Sequence, residues 1–302
     1  MIKEIGSHIC EKRPKCLLVG NGINKRFDDK SWEELIEEAL KASNQKFPFA
    51  DLKNMPATMQ IVAATGDHVH QHMKDLSDCL MRIEMTDERL QFLQSILNLP
   101  VDDILTTNYS FELEMASGMP QRKTSYSSGL ASTFELTDKE RKLRLFQYYE
   151  TPNGKRIWHI HGDAAKPDTM LMGHYYYGKQ LKAIQECIAK TVRRYQICLR
   201  KGTEFTPYSW IDQFLTGDVF ILGLGMYLCE SDLWYLLCCK KRNFPEARTF
   251  FYDLNVSDTG ILRMLEAYNV KIIDGSLLKA SSYETDFYPA VFRDIQRKTE
   301  AE

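Results

Sequence analysis

Along the chain, short apolar runs alternate with longer stretches whose apolar residues recur at helical spacing. Four of the runs end at once in small or polar residues: Cys16–Val19 before Gly20-Asn21-Gly22-Ile23-Asn24, Asp102–Leu105 before Thr106-Thr107-Asn108, Ile157–Ile160 before His161-Gly162-Asp163, and Val219–Leu222 before Gly223-Leu224-Gly225. Each reads as a buried strand that delivers a turn or a polar side chain at its carboxyl end. Thr249–Tyr252 and Val270–Ile273 extend the series. Helices fall between them. Ser31 reads as the N-cap of one that carries Trp32, Leu35, Ile36, Ala39 and Leu40 on a single face. Residues 1–15 read as a short polar helix, Tyr109–Met115, Lys179–Leu199 and Ser231–Cys239 as helices, Asp258 as the cap of a helix to Tyr268, and 276–302 as a C-terminal helix.

This alternation predicts an α/β fold: a doubly wound, Rossmann-like parallel sheet with a helical insertion at about 56–98 and a variable insertion at about 118–155. The core segments, 16–24, 102–116, 157–163 and 219–275, make one domain of the whole chain, 1–302. Asn153-Gly154, flanked by Phe146–Tyr149 and Ile157–Ile160, signals a hairpin, so the histidine strand also gains an antiparallel partner. The variable insertion further holds the turn residues Ser127, Ser128 and Gly129 and a solvated charge run, Asp138–Lys142. In a parallel sheet ligands bind beyond the carboxyl ends of the strands. The glycines, Asn108 and His161 are therefore expected to converge on one cleft.

Composition narrows the setting. The 302 residues are 44% hydrophobic and 26% charged, with a net charge of -2, which gives no chain-wide nucleic-acid signature. Lys190, Arg193, Arg194, Arg200 and Lys201 follow the tyrosines Tyr175–Tyr177 and offer a local nucleic-acid surface, but a solvated helix face accounts for them more simply. The eight cysteines form no C-x-x-C pair, which argues against a zinc site or a disulfide framework and for a reducing cytoplasm. The N-terminal residues lack the apolar core of a signal peptide, and no segment approaches the ~18 apolar residues of a membrane span. In the run His68–His72, His68 and His72 would share a helix face but lack a nearby acidic or third ligand in the H-E-x-x-H manner, so they read as exposed helix histidines and no metal is expected.

The cleft groups fit a dinucleotide. Turns at Gly20–Asn24 and Gly223–Gly225 can offer backbone N–H groups to a pyrophosphate. Asp253 and Asn255 follow a late strand, where an adenosine ribose would lie. Asn108, read alone, is an N-cap; read with the others, it orients a water or a ribose without adding charge. His161, with an ordinary pKa of ~6.5, suits general base work near neutrality.

The ordered set Gly20-Asn21-Gly22-Ile23-Asn24, Thr106-Thr107-Asn108-Tyr109, His159-Ile160-His161-Gly162-Asp163 and Gly223-Leu224-Gly225 through Asp232-Leu233 resembles the sirtuin-like family, and in particular the NAD-hydrolysing domains of bacterial antiphage defence. The resemblance covers roughly residues 16–275. It implies a catalytic pair, Asn108 and His161, and cleavage of NAD to nicotinamide and ADP-ribose without a metal. It implies NAD-binding positions at Gly20, Asn21, Gly22, Asn24, Thr107, Ser110, Gly223, Gly225, Asp232 and Asn255. It also implies a homo-oligomer or a companion, such as a HerA-type ATPase, that holds the enzyme inactive until infection; an uncovered aromatic cluster at Tyr175–Tyr177 and the long helix after it are the expected contact surfaces. The chain departs from the family in three places. It has no four-cysteine zinc ribbon, so protein deacylation and ADP-ribosyl transfer rank below hydrolysis. Ser110 stands where an acidic residue is usual, with Glu112 as one candidate substitute. Gly225 stands where a serine is usual. These departures leave a rival reading, a non-catalytic NAD or ADP-ribose sensor within a defence complex.

Overall fold

Strand β1 (Lys15–Val19) lies at the middle of an eight-stranded sheet whose order is β3-β4-β5-β2-β1-β6-β7-β8. The other strands are β2 (Asp103–Thr106), β3 (Thr124–Tyr126), β4 (Gln147–Glu150), β5 (Arg156–His159), β6 (Asp218–Leu222), β7 (Thr249–Tyr252) and β8 (Val270–Ile273). This computed structural model describes residues 13–27, positions 34, 35, 37, 38, 41 and 52, and residues 55–66, 69–119, 124–126 and 144–300. The six strands β5, β2, β1, β6, β7 and β8 are parallel; β4 and β3 are antiparallel. Counted along the chain, the six parallel strands lie in the order 3-2-1-4-5-6, so the order reverses between β1 and β6.

Both faces of the sheet are covered, which is why its central strands read as unbroken apolar runs rather than alternating ones. Cys16 and Leu18 of β1 enter one core with residues of helices α5 (His174–Lys201), α6 (Trp210–Thr216), α7 (Ser231–Asn243) and α8 (Thr259–Ala267). Leu17 and Val19 enter the other, with α3 (Asp87–Leu97), α4 (Glu112–Ala116) and α10 (Phe287–Glu300). The helical insertion supplies α1 (Ala57–Thr65), α2 (Val69–Leu80) and α3. Ile61, Ala64, Met73 and Leu76 of α1 and α2 pack on Ala164, Met170 and Met172, the segment that follows His161. A short helix α9 (Gly275–Leu278) precedes α10.

Local chemistry sets the element ends. Ser209 and Asp212 form a reciprocal capping box on α6, and the Asp258 carboxylate accepts from the N–H groups of Gly260 and Ile261 at the start of α8. The Asn153-Gly154 hairpin forms as its sequence predicts, with Gly154 at φ 79 and the Thr151 N–H donating to the Lys155 carbonyl at 2.8 Å. The long helix starts at His174, ahead of the predicted Lys179, and takes Tyr175–Tyr177 into its first turns. Tyr175 is 66% exposed, but Tyr177 is buried, so the three tyrosines do not form one uncovered cluster. No helix among the described residues is long and apolar enough to cross a membrane. The expected helix over residues 1–12, Ser31 and Trp32 at a helix start, His68, the Ser127–Gly129 turn and the charge run Asp138–Lys142 all lie outside the described residues.

Candidate active site

The register brings the two central motif residues together. Thr106 of β2 pairs with His159 of β5, so Asn108 and His161 each lie two residues beyond a paired position on neighbouring parallel strands. Both are nearly buried, at 5% and 2% exposure. The Ile160 N–H donates to the Thr106 carbonyl at 2.9 Å, which carries the pairing one step past the strand ends.

His159 holds Asn108 from below. Its Nδ1–H donates to the Asn108 carbonyl at 2.8 Å and its Nε2–H to Glu114 Oε1 at 2.9 Å. Burial pulls its pKa down, but Glu114 and the Asn108 carbonyl outweigh burial and raise it to about 8. Both ring nitrogens face acceptors, so this imidazole is a cationic clamp rather than a base.

The Asn108 amide donates to Glu112 Oε1 at 2.8 Å. The same oxygen accepts from the Asn24 amide at 2.9 Å, and Asn24 Oδ1 accepts from Arg89 at 3.3 Å. One carboxylate thus ties the turn after β1 to the turn after β2. Glu112 is the residue that sequence reasoning left open beside Ser110. Its nearness in sequence, four residues past Asn108 at the first position of α4, is the available signal. Ser110 itself lies half-buried ahead of α4.

His161 points into a separate acidic cluster. Its Nε2–H donates to Asp232 Oδ2 at 3.0 Å, and Glu230 Oε2 stands 4.0 Å from the same nitrogen. Asp232 was expected at the cofactor; it is instead wholly buried in the first turn of α7 against the histidine. Helix starts favour a carboxylate, and the pairing favours the imidazolium. Burial lowers the His161 pKa, but Asp232 and then Glu230 outweigh it, and the group sits above its ordinary value. Burial also raises Glu230, with His161 opposing and Asp232 adding to the effect. The Tyr177 ring meets His161 edge-on at 5.4 Å, and its hydroxyl donates to Glu230 Oε2 at 3.4 Å. Glu230 and Tyr177 were not picked out as site residues from the sequence. Neither has a local signal, because the contact exists only once α5 lies across the strand ends.

The glycine turns meet each other. The Gly20 N–H donates to the Leu222 carbonyl at 3.0 Å and the Gly22 N–H to the Gly223 carbonyl at 2.7 Å. Of the Gly20–Asn24 turn expected to face a pyrophosphate, these two amides are already engaged, by the last residue of β6 and by the first residue after it. A Cβ on Gly20 or Gly22 would overlap the Gly223 backbone, and Gly223 itself sits at φ 65. The glycines are needed for close backbone approach between the loops. Gly162 has a similar reason: at φ 86, its added Cβ would overlap the Thr169 carbonyl.

The remaining predicted positions sit around these groups. Asn21 is exposed, and its Oδ1 accepts from the Asn24 amide at 3.1 Å. The Thr107 N–H donates to the Val19 carbonyl at 3.1 Å, binding β2 to β1. Gly225 is exposed beside the Tyr227 ring. Asn255 is exposed beyond β7, its N–H reaching Asp253 Oδ1 at 3.4 Å, and makes no contact with the Asn108 or His161 groups.

The arrangement offers a buried imidazole oriented through one nitrogen by a carboxylate, with Nδ1 free of hydrogen bonds, and past the neighbouring strand end a neutral amide whose Oδ1 has no donor. This suits proton transfer next to a polar, uncharged anchor. His161, Glu230 and Asp232 also place donor atoms within 4.8 Å of one another, a grouping that the metal-free expectation did not anticipate.

No curated protein matches the chain. The model of a single family, described as bacteriophage abortive infection AbiH, matches residues 18–253, a span that takes in the glycine turns, Asn108, His161, Glu230 and Asp232. The match bears out the antiphage part of the expectation and is silent on NAD. Covering most of the sequence, it shows that the chain belongs to the AbiH family of bacteriophage abortive infection.

Proposed function

We propose that this abortive infection protein acts by hydrolysing NAD to nicotinamide and ADP-ribose in the cleft beyond β2 and β5. The observation that carries the reading is the placement of Asn108 and His161 at matching positions past adjacent parallel strand ends, with His161 oriented by Asp232. The strand order 3-2-1-4-5-6 supports a Rossmann-like, doubly wound fold, which binds dinucleotides where the order reverses. In the reaction a water attacks C1′ of the nicotinamide ribose and gives a proton to His161 Nδ1. The electron pair of the breaking C–N bond leaves with neutral nicotinamide. Asn108 holds the water or the ribose hydroxyl, and Asp232 stabilises the imidazolium that forms. Because both residues are buried, turnover requires the cover to open, which fits an effector held inactive until oligomerisation or a companion such as a HerA-type ATPase releases it.

Purified protein, alone and after phage challenge in cells, should consume NAD with release of nicotinamide and ADP-ribose. Asn108→Ala and His161→Ala should each cut the rate by on the order of 100-fold or more while leaving the fold intact. Binding of NAD with no turnover under either condition would instead select the sensor reading. That rival is favoured by one observation, the engagement of the Gly20 and Gly22 amides and of the Asn108 amide inside the protein.

The pH profile supplies an independent check. A base must be unprotonated, so turnover should rise with pH as His161 loses its proton. Asp232 raises that pKa, so Asp232→Asn should move the rise to lower pH while lowering the plateau. An unshifted profile for Asp232→Asn, measured as kcat against pH, would remove His161 from the role of base.

A further inference from the structure

Two carboxylates and one imidazole share the buried pocket at the start of α7. Asp232 is wholly buried, and the Glu230 side chain is 16% exposed. No lysine or arginine pairs with either carboxylate among the described residues; their partners are His161 and the Tyr177 hydroxyl. With both carboxylates ionised, the pocket holds one negative charge more than a protonated His161 can balance. Buried charge is costly unless paired or coordinated to a metal. A second observation points the same way. The remaining oxygen of Asp232, Oδ1, is buried and has no hydrogen-bond donor.

We propose that His161, Glu230 and Asp232 form a binding site for one divalent first-row transition metal ion. One imidazole nitrogen and two carboxylate oxygens, with a fourth position left open, is a donor set suited to zinc and its neighbours. His161 Nε2 and Asp232 Oδ2 are 3.0 Å apart, and the three donor atoms lie within 4.8 Å of one another. A tetrahedral ion with bonds of about 2.0–2.2 Å wants its ligands roughly 3.4 Å apart, so the widest pair closes by at most about 1.4 Å. The ion takes the place of the proton between His161 Nε2 and Asp232; that proton goes to solvent from the imidazolium, or moves through solvent to Nδ1 from the neutral ring. An imidazole ligated through Nε2 carries its remaining proton on Nδ1 and cannot accept another. Metal loading therefore switches off the proposed base, and this consequence, unlike the site itself, rests on the hydrolysis reading.

The test titrates cobalt(II) and zinc(II) into the full chain, first stripped with chelator, and follows heat and the cobalt absorption spectrum. The expected result is one ion per chain with no thiolate-to-cobalt charge-transfer band, and affinity weakened on the order of 10-fold or more in Glu230→Gln and Asp232→Asn. Glu230→Gln is the safer variant, since its side chain is only partly buried, and circular dichroism checks both folds. Absence of saturable binding by the wild-type chain would overturn the site. So would equal affinity in folded Glu230→Gln, or a thiolate band showing that cysteines such as Cys238 and Cys239 hold the ion. Because binding is read without NAD, failure of the metal site and failure of the hydrolase reading are separate results.

Discussion

Replacing Arg144 by methionine is expected to lower folding stability by roughly 3–5 kcal/mol, because it leaves the Asp163 carboxylate buried without its cation. Both residues are almost wholly inaccessible. The guanidinium pairs with Asp163 Oδ2 and also reaches the Gln147 side chain. Asp163 accepts further from the Tyr149 hydroxyl at 3.2 Å and the Lys166 N–H at 3.1 Å. The pair thus fastens β4 to the loop that follows His161. Arg144 sits at φ 52, in the left-handed region, and methionine bears the same backbone cost, so the difference reports the lost charge. The double variant Arg144→Met with Asp163→Asn should recover part of the loss, since no unpaired charge remains. Urea denaturation of the four proteins gives the cycle. A single variant that loses less than about 1 kcal/mol would show that water or another cation already compensates Asp163.

The second large effect is expected at Glu112, where alanine and glutamine should differ sharply. Alanine removes the acceptor shared by Asn24 and Asn108; it leaves the buried Asn108 amide without a partner and the Asn24 amide with Asn21 alone, a loss of roughly 1–3 kcal/mol. Glutamine keeps an oxygen at Oε1, where both amides donate, and places its NH₂ where Oε2 has no partner. Its cost should stay below about 1 kcal/mol. The pair of variants separates geometry from charge. If glutamine destabilises as much as alanine, the carboxylate matters through its charge, and the bridging account fails. Denaturation midpoints decide it, and NAD turnover by the glutamine variant shows whether a neutral bridge still positions Asn108.

What the sequence disclosed and what it withheld divide along a physical line. Strand ends were legible because Cys16–Val19, Ile157–Ile160 and Val219–Leu222 are apolar on both faces and stop at glycine or histidine. That pattern carries the strand–helix alternation and places Asn108 and His161 at carboxyl ends. Pairings across the fold were not legible. His161 and Asp232 are 71 residues apart, and Asn24 and Glu112 are 88 apart; their meeting depends on which strands neighbour which. The glycine turns were ambiguous in a different way. Close approach to a phosphate and close approach to another backbone both demand a missing side chain, so Gly20-Asn21-Gly22 reads the same for either. The structure shows backbone approach at Gly20 and Gly22. Tyr175–Tyr177 misled because neighbouring tyrosines on a helix face different directions: Tyr177 is buried, Tyr176 packs against the cluster of α1 and α2, and Tyr175 stays exposed.

The joined glycine turns also restrict how the molecule can breathe. With Gly22 bonded to Gly223, and no room for a single carbon between Gly20 and that loop, the seam between β1 and β6 has no slack. Hinging along the midline would have to break these backbone bonds. Access to His161 falls to the parts above it, the first turns of α5 with Tyr177 and the 224–230 segment that ends in Glu230. Tyr227 and Leu228 in that segment stand well out into solvent.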